Sequence, residues 1–221
     1  MVAFGVARKE FSSEDLHFGQ FVFELDSFEE YLRITNLSVQ NRLKSYLDKY
    51  YELGELSNVI FDSGESYVIE RTYQLYYSSI IISLYSFLEQ SMLNLCEVSN
   101  KEKDLKIDDI SGKGIFRLKK YLEKVVQIDF TEINDEWNEI TKYNHLRNLF
   151  VHSSNSILNK TESKGRINSI KEIKHLKVVE SDNYYSIYFE NDAAIKNFIE
   201  TIRVFLTKLY YRDYEKVLQK H

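Results

Sequence analysis

The sequence predicts a mainly α protein, a bundle of about five helices with a β-hairpin inserted before the last one. Three observations predict it. The 221 residues contain no proline and only 7 glycines, where average usage would give roughly 11 and 15. Proline removes a backbone donor and glycine is conformationally loose, so their shortage favours long uninterrupted helices over turn-dense sheets. Apolar residues recur every three to four positions over most of the chain, and they alternate in twos most clearly over residues 174–190.

Taken in order, residues 1–25 read as an N-terminal arm, with a weak strand pattern over Phe21, Phe23 and Leu25. The remainder, 26–221, reads as one helical domain. Ser27 followed by Glu30 forms a capping box, and Phe28, Tyr31, Leu32, Leu43 and Leu47 carry a first helix to about Leu56. Asn58 to Gly64 breaks the pattern. A long central helix follows from about Ser66 to Asn100, apolar around much of its circumference. Ile115 to Gln127 is a short amphipathic helix, and a fourth runs from near Thr131 to about Ser153. Lys174–Glu180 and Tyr184–Glu190 alternate around Ser181-Asp182-Asn183, a hairpin pattern. Asn191-Asp192 then caps a last helix from Ala193 to about Leu218.

Composition narrows the function. Cys96 is the only cysteine, which excludes an intrachain disulfide and any cysteine-cluster metal site. No stretch is long and apolar enough to span a bilayer, and the N-terminus lacks a secretory pattern, so a cytoplasmic protein is expected. The net charge of −5 argues against coating nucleic acid with the whole surface. The charge is uneven, however. Residues 159–178 hold Lys160, Lys164, Arg166, Lys171, Lys174 and Lys177 against Glu162 and Glu172. Such a run is either a solvated loop or a local anion-binding patch, with Lys160, Lys164, Arg166 and Lys171 as the RNA-binding candidates.

The fourth helix carries the chemistry. At 100° per residue, Ile133, Trp137 and Ile140 form a stripe that continues to Asn144, Arg147, Asn148 and Val151, with His152 at its flank. Polar groups on a core-facing stripe must pair with one another or line a cleft. Leu146, Leu149 and Phe150 then supply additional apolar surface, an expected dimer contact.

Arg147-Asn148-Leu149-Phe150-Val151-His152 is an Arg-x4-His motif with a polar residue after the arginine, and Ser83-Leu84-Tyr85-Ser86-Phe87-Leu88-Glu89 places serines and an acid on the long earlier helix. On these two segments the chain resembles the HEPN superfamily, helical-bundle proteins of nucleic-acid metabolism, toxin–antitoxin pairs and antiviral defence. The resemblance covers about residues 66–155. It implies a homodimer that brings two motifs together, a metal-independent endoribonuclease acting in defence or as a toxin, and an antitoxin or other regulatory protein as a further partner. It implies catalytic roles for Arg147, Asn148 and His152, with Glu89 as counter-charge to Arg147 and Asn144 in support.

The residue types suit that chemistry. RNA supplies its own nucleophile, the 2′-hydroxyl. Cleavage needs a base, an acid and a cation at the crowded phosphorus. Histidine serves either proton role, and arginine offers a fixed fork to phosphate oxygens. Asn148 is suited to orienting His152 or the phosphate. No cofactor is required. His17, His145, His175 and His221 have no metal-ligand spacing with acidic residues, so no metal site is expected. Two other readings stand beside this one. The first is a non-catalytic module that binds nucleotide, RNA or a partner protein. The second is purely structural: Arg147 ion-paired with Glu89, and His152 at a helix C-terminus where positive charge is favourable. Ser111-Gly112-Lys113-Gly114, ahead of a helix, reads as an ordinary turn before it reads as a phosphate cradle.

Overall fold

The computed structural model describes residues 13–52, 65–99, 105–152, 157–161 and 165–218. Among them are six α-helices: α1 (Ser13–Glu52), α2 (Glu65–Val98), α3 (Gly114–Tyr121), α4 (Asn134–His152), α5 (Arg166–Lys171) and α6 (Ala193–Leu218). A small antiparallel sheet joins β1 (Ile157–Asn159), β2 (Leu176–Glu180) and β3 (Tyr184–Phe189) in the order β1-β3-β2. The expected mainly helical bundle with a hairpin before the last helix is what the chain forms, and β1 adds a third strand, pairing Leu158 with Tyr185.

The N-terminal reading is corrected. Residues 13–25 are not an extended arm but the first turns of α1, and residues 1–12 lie outside the described residues. Phe21 and Leu25 are four apart, so both face the core as a helix pair, while Phe23 is 72 % exposed. Phe21 packs on Tyr210 of α6 with ring centroids 5.4 Å apart. Ser27 is therefore inside the helix, its hydroxyl donating to the Phe23 carbonyl at 2.8 Å rather than capping an end. The segment 115–127 also departs from a plain helix. It winds as α3 and then widens into a π turn over Leu122–Val126, which ends at Gln127 with φ of 65°.

α2 is the central element, packed against α1, α3, α4 and α6. Ile81, Leu84, Leu88, Met92 and Cys96 are completely buried along it, with Ile115, Ile140, Phe198 and Phe205 from the other helices. α4 is anchored to α6 by Tyr143, which stacks on Phe198 at 4.0 Å and donates its hydroxyl to the Ala194 carbonyl at 2.6 Å. The sheet is fastened to α2 at Phe189, whose ring meets Tyr77 edge-on at 5.4 Å. Gln74 donates to the Phe189 carbonyl at 3.1 Å and accepts from the Phe189 amide at 2.9 Å, reproducing a strand's pairing from a helix. Phe189 in turn packs on Phe150 at 5.7 Å, so β3 braces the last turn of α4. Among the described residues, no helix is long and apolar enough to cross a membrane.

Candidate functional site

α4 runs antiparallel to α2. Arg147 of α4 lies beside Tyr85 of α2, and Phe150, further along α4, lies beside Phe189, which Gln74 of α2 holds. The core stripe of α4 is Trp137, Ile140, Tyr143, Leu146 and Leu149, all buried. It advances mostly in threes, so it drifts away from the line through Asn144 and Arg147. The expectation that Arg147 and its neighbours sit on the core face is corrected: Asn144, Arg147 and Asn148 are half-buried at the bundle edge. Leu146 and Leu149 belong to this chain's own core, and Phe150 packs on Phe189, so the three do not form an exposed apolar patch. Val151, 45 % exposed, is the large apolar residue left open on that turn.

Three polar side chains of α4 bond in a line. Arg147 Nη1 donates to Asn148 Oδ1 at 3.0 Å, and Asn148 Nδ2 donates to Asn144 Oδ1 at 3.2 Å. Asn148 thus orients Arg147 and is not aimed at His152. The guanidinium carbon lies 5.5 Å from the centroid of the Tyr85 ring, a distance at which the ring's negative face attracts the cation. Arg147 Nε is buried and has no partner. No ion pair within 4.0 Å reaches Arg147 among the described residues. His152 is exposed on the last residue of α4, one turn beyond Asn148.

The expected Arg147–Glu89 ion pair is absent. Glu89 leans instead toward the start of α3. A Cβ placed on Gly114 would meet Glu89 Oε1 at 3.2 Å, and Gly114 itself has φ of 55°. A carboxylate at a helix N-terminus is favourable electrostatically. Glu89 and Arg147 both act on Tyr85. Burial pushes that phenol well above its ordinary range, Glu89 pushes it further, and Arg147 opposes them. Tyr85 was missed in the sequence, although it stands one helical turn before Glu89 on the same face.

Two lysines of the basic segment are engaged. Lys160 Nζ pairs with Glu180 at 2.7 Å, and Lys171 approaches the same carboxylate at 3.9 Å. Both ammonium groups lie over the Tyr185 ring, at 5.3 and 4.9 Å. Their first role is to tie α5 and β1 to the hairpin, which leaves them weak candidates for RNA. Arg166 stands near His145 and, together with burial, pushes that imidazole below its ordinary value. Lys164 lies outside the described residues.

Comparison of the chain with protein-family models, curated proteins and solved structures gives no match. The site therefore stands on its own geometry.

A wide groove of about 690 Å³ between α1 and α6 is the competing feature. Its cations are neutralised, Arg33 by Glu30 and Lys196 by Asp192, and Asn36 bonds both Asp192 and Tyr77. The Arg147 cluster differs in leaving a cation unneutralised. Among the described residues no group of three or more His, Cys, Asp or Glu side chains comes together as a metal site would require.

Proposed function

We propose that this protein is a metal-independent endoribonuclease of HEPN type, acting in the cytoplasm as a defence or toxin effector. The observation that carries the reading is the Arg147 guanidinium. It is fixed in place by Tyr85 and Asn148, has no carboxylate within ion-pair distance among the described residues, and lies at the bundle edge one turn before an exposed histidine. A cation held this way is ready for an anionic group whose charge grows during reaction. In the proposed reaction the 2′-oxygen attacks the adjacent phosphorus, the 5′-oxygen leaves, and Arg147 stabilises the phosphorane oxygens. His152 moves one of the two protons.

One motif supplies one histidine, whereas the reaction needs both a base and an acid. A two-fold dimer that brings two motifs together provides the second. The support for the dimer is this stoichiometry, since Leu146 and Leu149 are not at the surface. An antitoxin or other regulatory protein fits the same reading, by resemblance alone.

The test is cleavage of a defined RNA in excess EDTA. Activity is expected to survive chelation, to give 2′,3′-cyclic phosphate ends, to be lost with 2′-O-methyl sugars at the cut site, and to fall roughly 10²–10⁴-fold in His152→Ala. Sedimentation at micromolar concentration is expected to show a dimer. Cleavage that needs Mg²⁺ or Mn²⁺, or that His152→Ala leaves intact, overturns the reading. A second reading, an RNA-binding module without catalysis, is favoured by one observation. Among the described residues, nothing hydrogen-bonds His152 to fix its ring. Tight RNA binding by the wild type without cleavage would select it.

A further inference from the structure

We infer that the exposed basic face of α3 and its flanks is the track along which the phosphate backbone of single-stranded RNA reaches Arg147. This rests on the proposed function for its destination, but the observations behind it are separate. Residues 105–126 carry Lys106, Lys113, Arg117, Lys119, Lys120 and Lys124 against Asp108, Asp109 and Glu123, an excess of three positive charges in a chain of net charge −5.

The pairing inside this segment decides where the excess lies. Arg117 bonds Asp108 at 3.0 Å, and Lys119 reaches Glu123 at 3.5 Å while lying over the Phe130 and Trp137 rings. Asp109 is used by the backbone amide of Lys106 at 2.9 Å. Lys113, Lys120 and Lys124 remain exposed, without a carboxylate within ion-pair distance among the described residues. Lys120 donates only to the Ser111 carbonyl, at 3.2 Å, which holds the turn but leaves its charge uncompensated. Arg117, Lys120 and Lys124 follow one another at three- and four-residue steps, with Lys113 at the helix start, so they line one side. Phe116 stands among them, 42 % exposed, with its inner edge against Trp137 at 5.7 Å. An aromatic ring among unpaired cations fits a chain of stacked bases on a phosphate backbone.

The track leads to the site. Gly114, the first residue of α3, lies against Glu89, and Glu89 is one helical turn from Tyr85, which carries Arg147. From Gly114 to Lys120 the helix axis covers about 9 Å. The 160–171 segment cannot serve equally, because Lys160 and Lys171 are engaged with Glu180 and Tyr185.

The experiment uses the full chain and an uncleavable 12-nucleotide single strand with 2′-O-methyl sugars, titrated between 50 and 200 mM salt. Each phosphate contact on a single strand contributes about 0.7 to the slope of log affinity against log salt. The triple variant Lys113→Gln, Lys120→Gln, Lys124→Gln is expected to flatten the slope by about 2 and to weaken binding at least about ten-fold at 50 mM. Each single variant should remove about 0.7, which covers the case of a triple variant that fails to fold. Lys174→Gln with Lys177→Gln, a charge change on the hairpin side, should leave the slope unchanged. The inference is overturned if the wild type binds no RNA, if the α3 variants keep the wild-type slope, or if the hairpin variant loses as much. Catalysis is judged apart, on unmodified RNA. A wild type that binds with the expected slope but never cleaves sinks the nuclease reading and leaves the track standing. Cleavage with unchanged binding in the α3 variants does the reverse.

Discussion

Replacing Arg147 with alanine separates a catalytic cation from a structural one, because the two make different demands on stability. Were Arg147 one half of a buried ion pair, its removal would strand a carboxylate and cost about 3–5 kcal/mol. Among the described residues it has no such partner. What is lost is a cation–π contact to Tyr85 worth about 1 kcal/mol and a hydrogen bond to Asn148 worth about 1–2 kcal/mol. Removal also deletes a buried, unpartnered Nε, which returns part of that loss. The net destabilisation of Arg147→Ala should therefore be about 1–2 kcal/mol. Against RNA, loss of a transition-state cation should cost about 10²–10³ in kcat, equivalent to about 3–4 kcal/mol. Urea unfolding followed by circular dichroism gives the first quantity and single-turnover cleavage the second. Arg147→Lys keeps the charge but not the fork, and should fall between wild type and alanine in rate with stability near wild type. A stability loss above 3 kcal/mol with unchanged cleavage would refute both the role and the reasoning that led to it.

Three further perturbations test the scaffold. Gln74→Leu strands the buried amide and carbonyl of Phe189, at about 1–3 kcal/mol each, so a thermal melt should fall by at least about 5 °C. Gly114→Ala adds a Cβ at φ of 55° and pushes on Glu89, and should destabilise by about 1–2 kcal/mol in urea. His145 has a folded pKa below its ordinary 6.5, through burial and then Arg166. The unfolded chain therefore binds that proton first, and the stabilisation present above pH 6.5 is lost as pH falls through the folded value. Subtracting the stability profile of His145→Gln from that of the wild type should isolate a decline that begins near pH 6.5, and a flat difference would disprove the shift.

The helices were legible because their apolar spacing is long and regular, and the hairpin because its period is two. The start of α1 was not. Phe21, Phe23 and Leu25 satisfy an alternation, yet Phe21 and Leu25 also satisfy a four-residue step, and only tertiary packing, Phe21 on Tyr210, separates the two. α5 and β1 are too short for periodicity to register. At the site, the local part was readable: Asn144, Arg147 and Asn148 do come together. What spacing could not give was which face α2 turns toward them. That rotation places Tyr85 against Arg147 and sends Glu89 to the start of α3, a helix whose arrival nothing in α2 or α4 announces. The engagement of Lys160 and Lys171 was hidden for the same reason, since their shared carboxylate, Glu180, lies on β2 beyond the run.

The rotation of α2 also explains how a cation persists at the bundle edge without a counter-ion. Half-burial without compensation is costly for a charged group. Here the cost is met by weak, non-neutralising interactions: a ring face on one side, an amide oxygen at one nitrogen, and Glu89 near enough to act on the shared tyrosine but not to bond. A direct Glu89 bond would stabilise the guanidinium more and leave less of its charge for a ligand. Gly114 bears on that balance. A side chain there would meet the Glu89 carboxylate and push it from the helix start. The absence of a Cβ at Gly114 therefore helps keep Glu89 at the start of α3 and leaves the Arg147 charge to the ring and the amide.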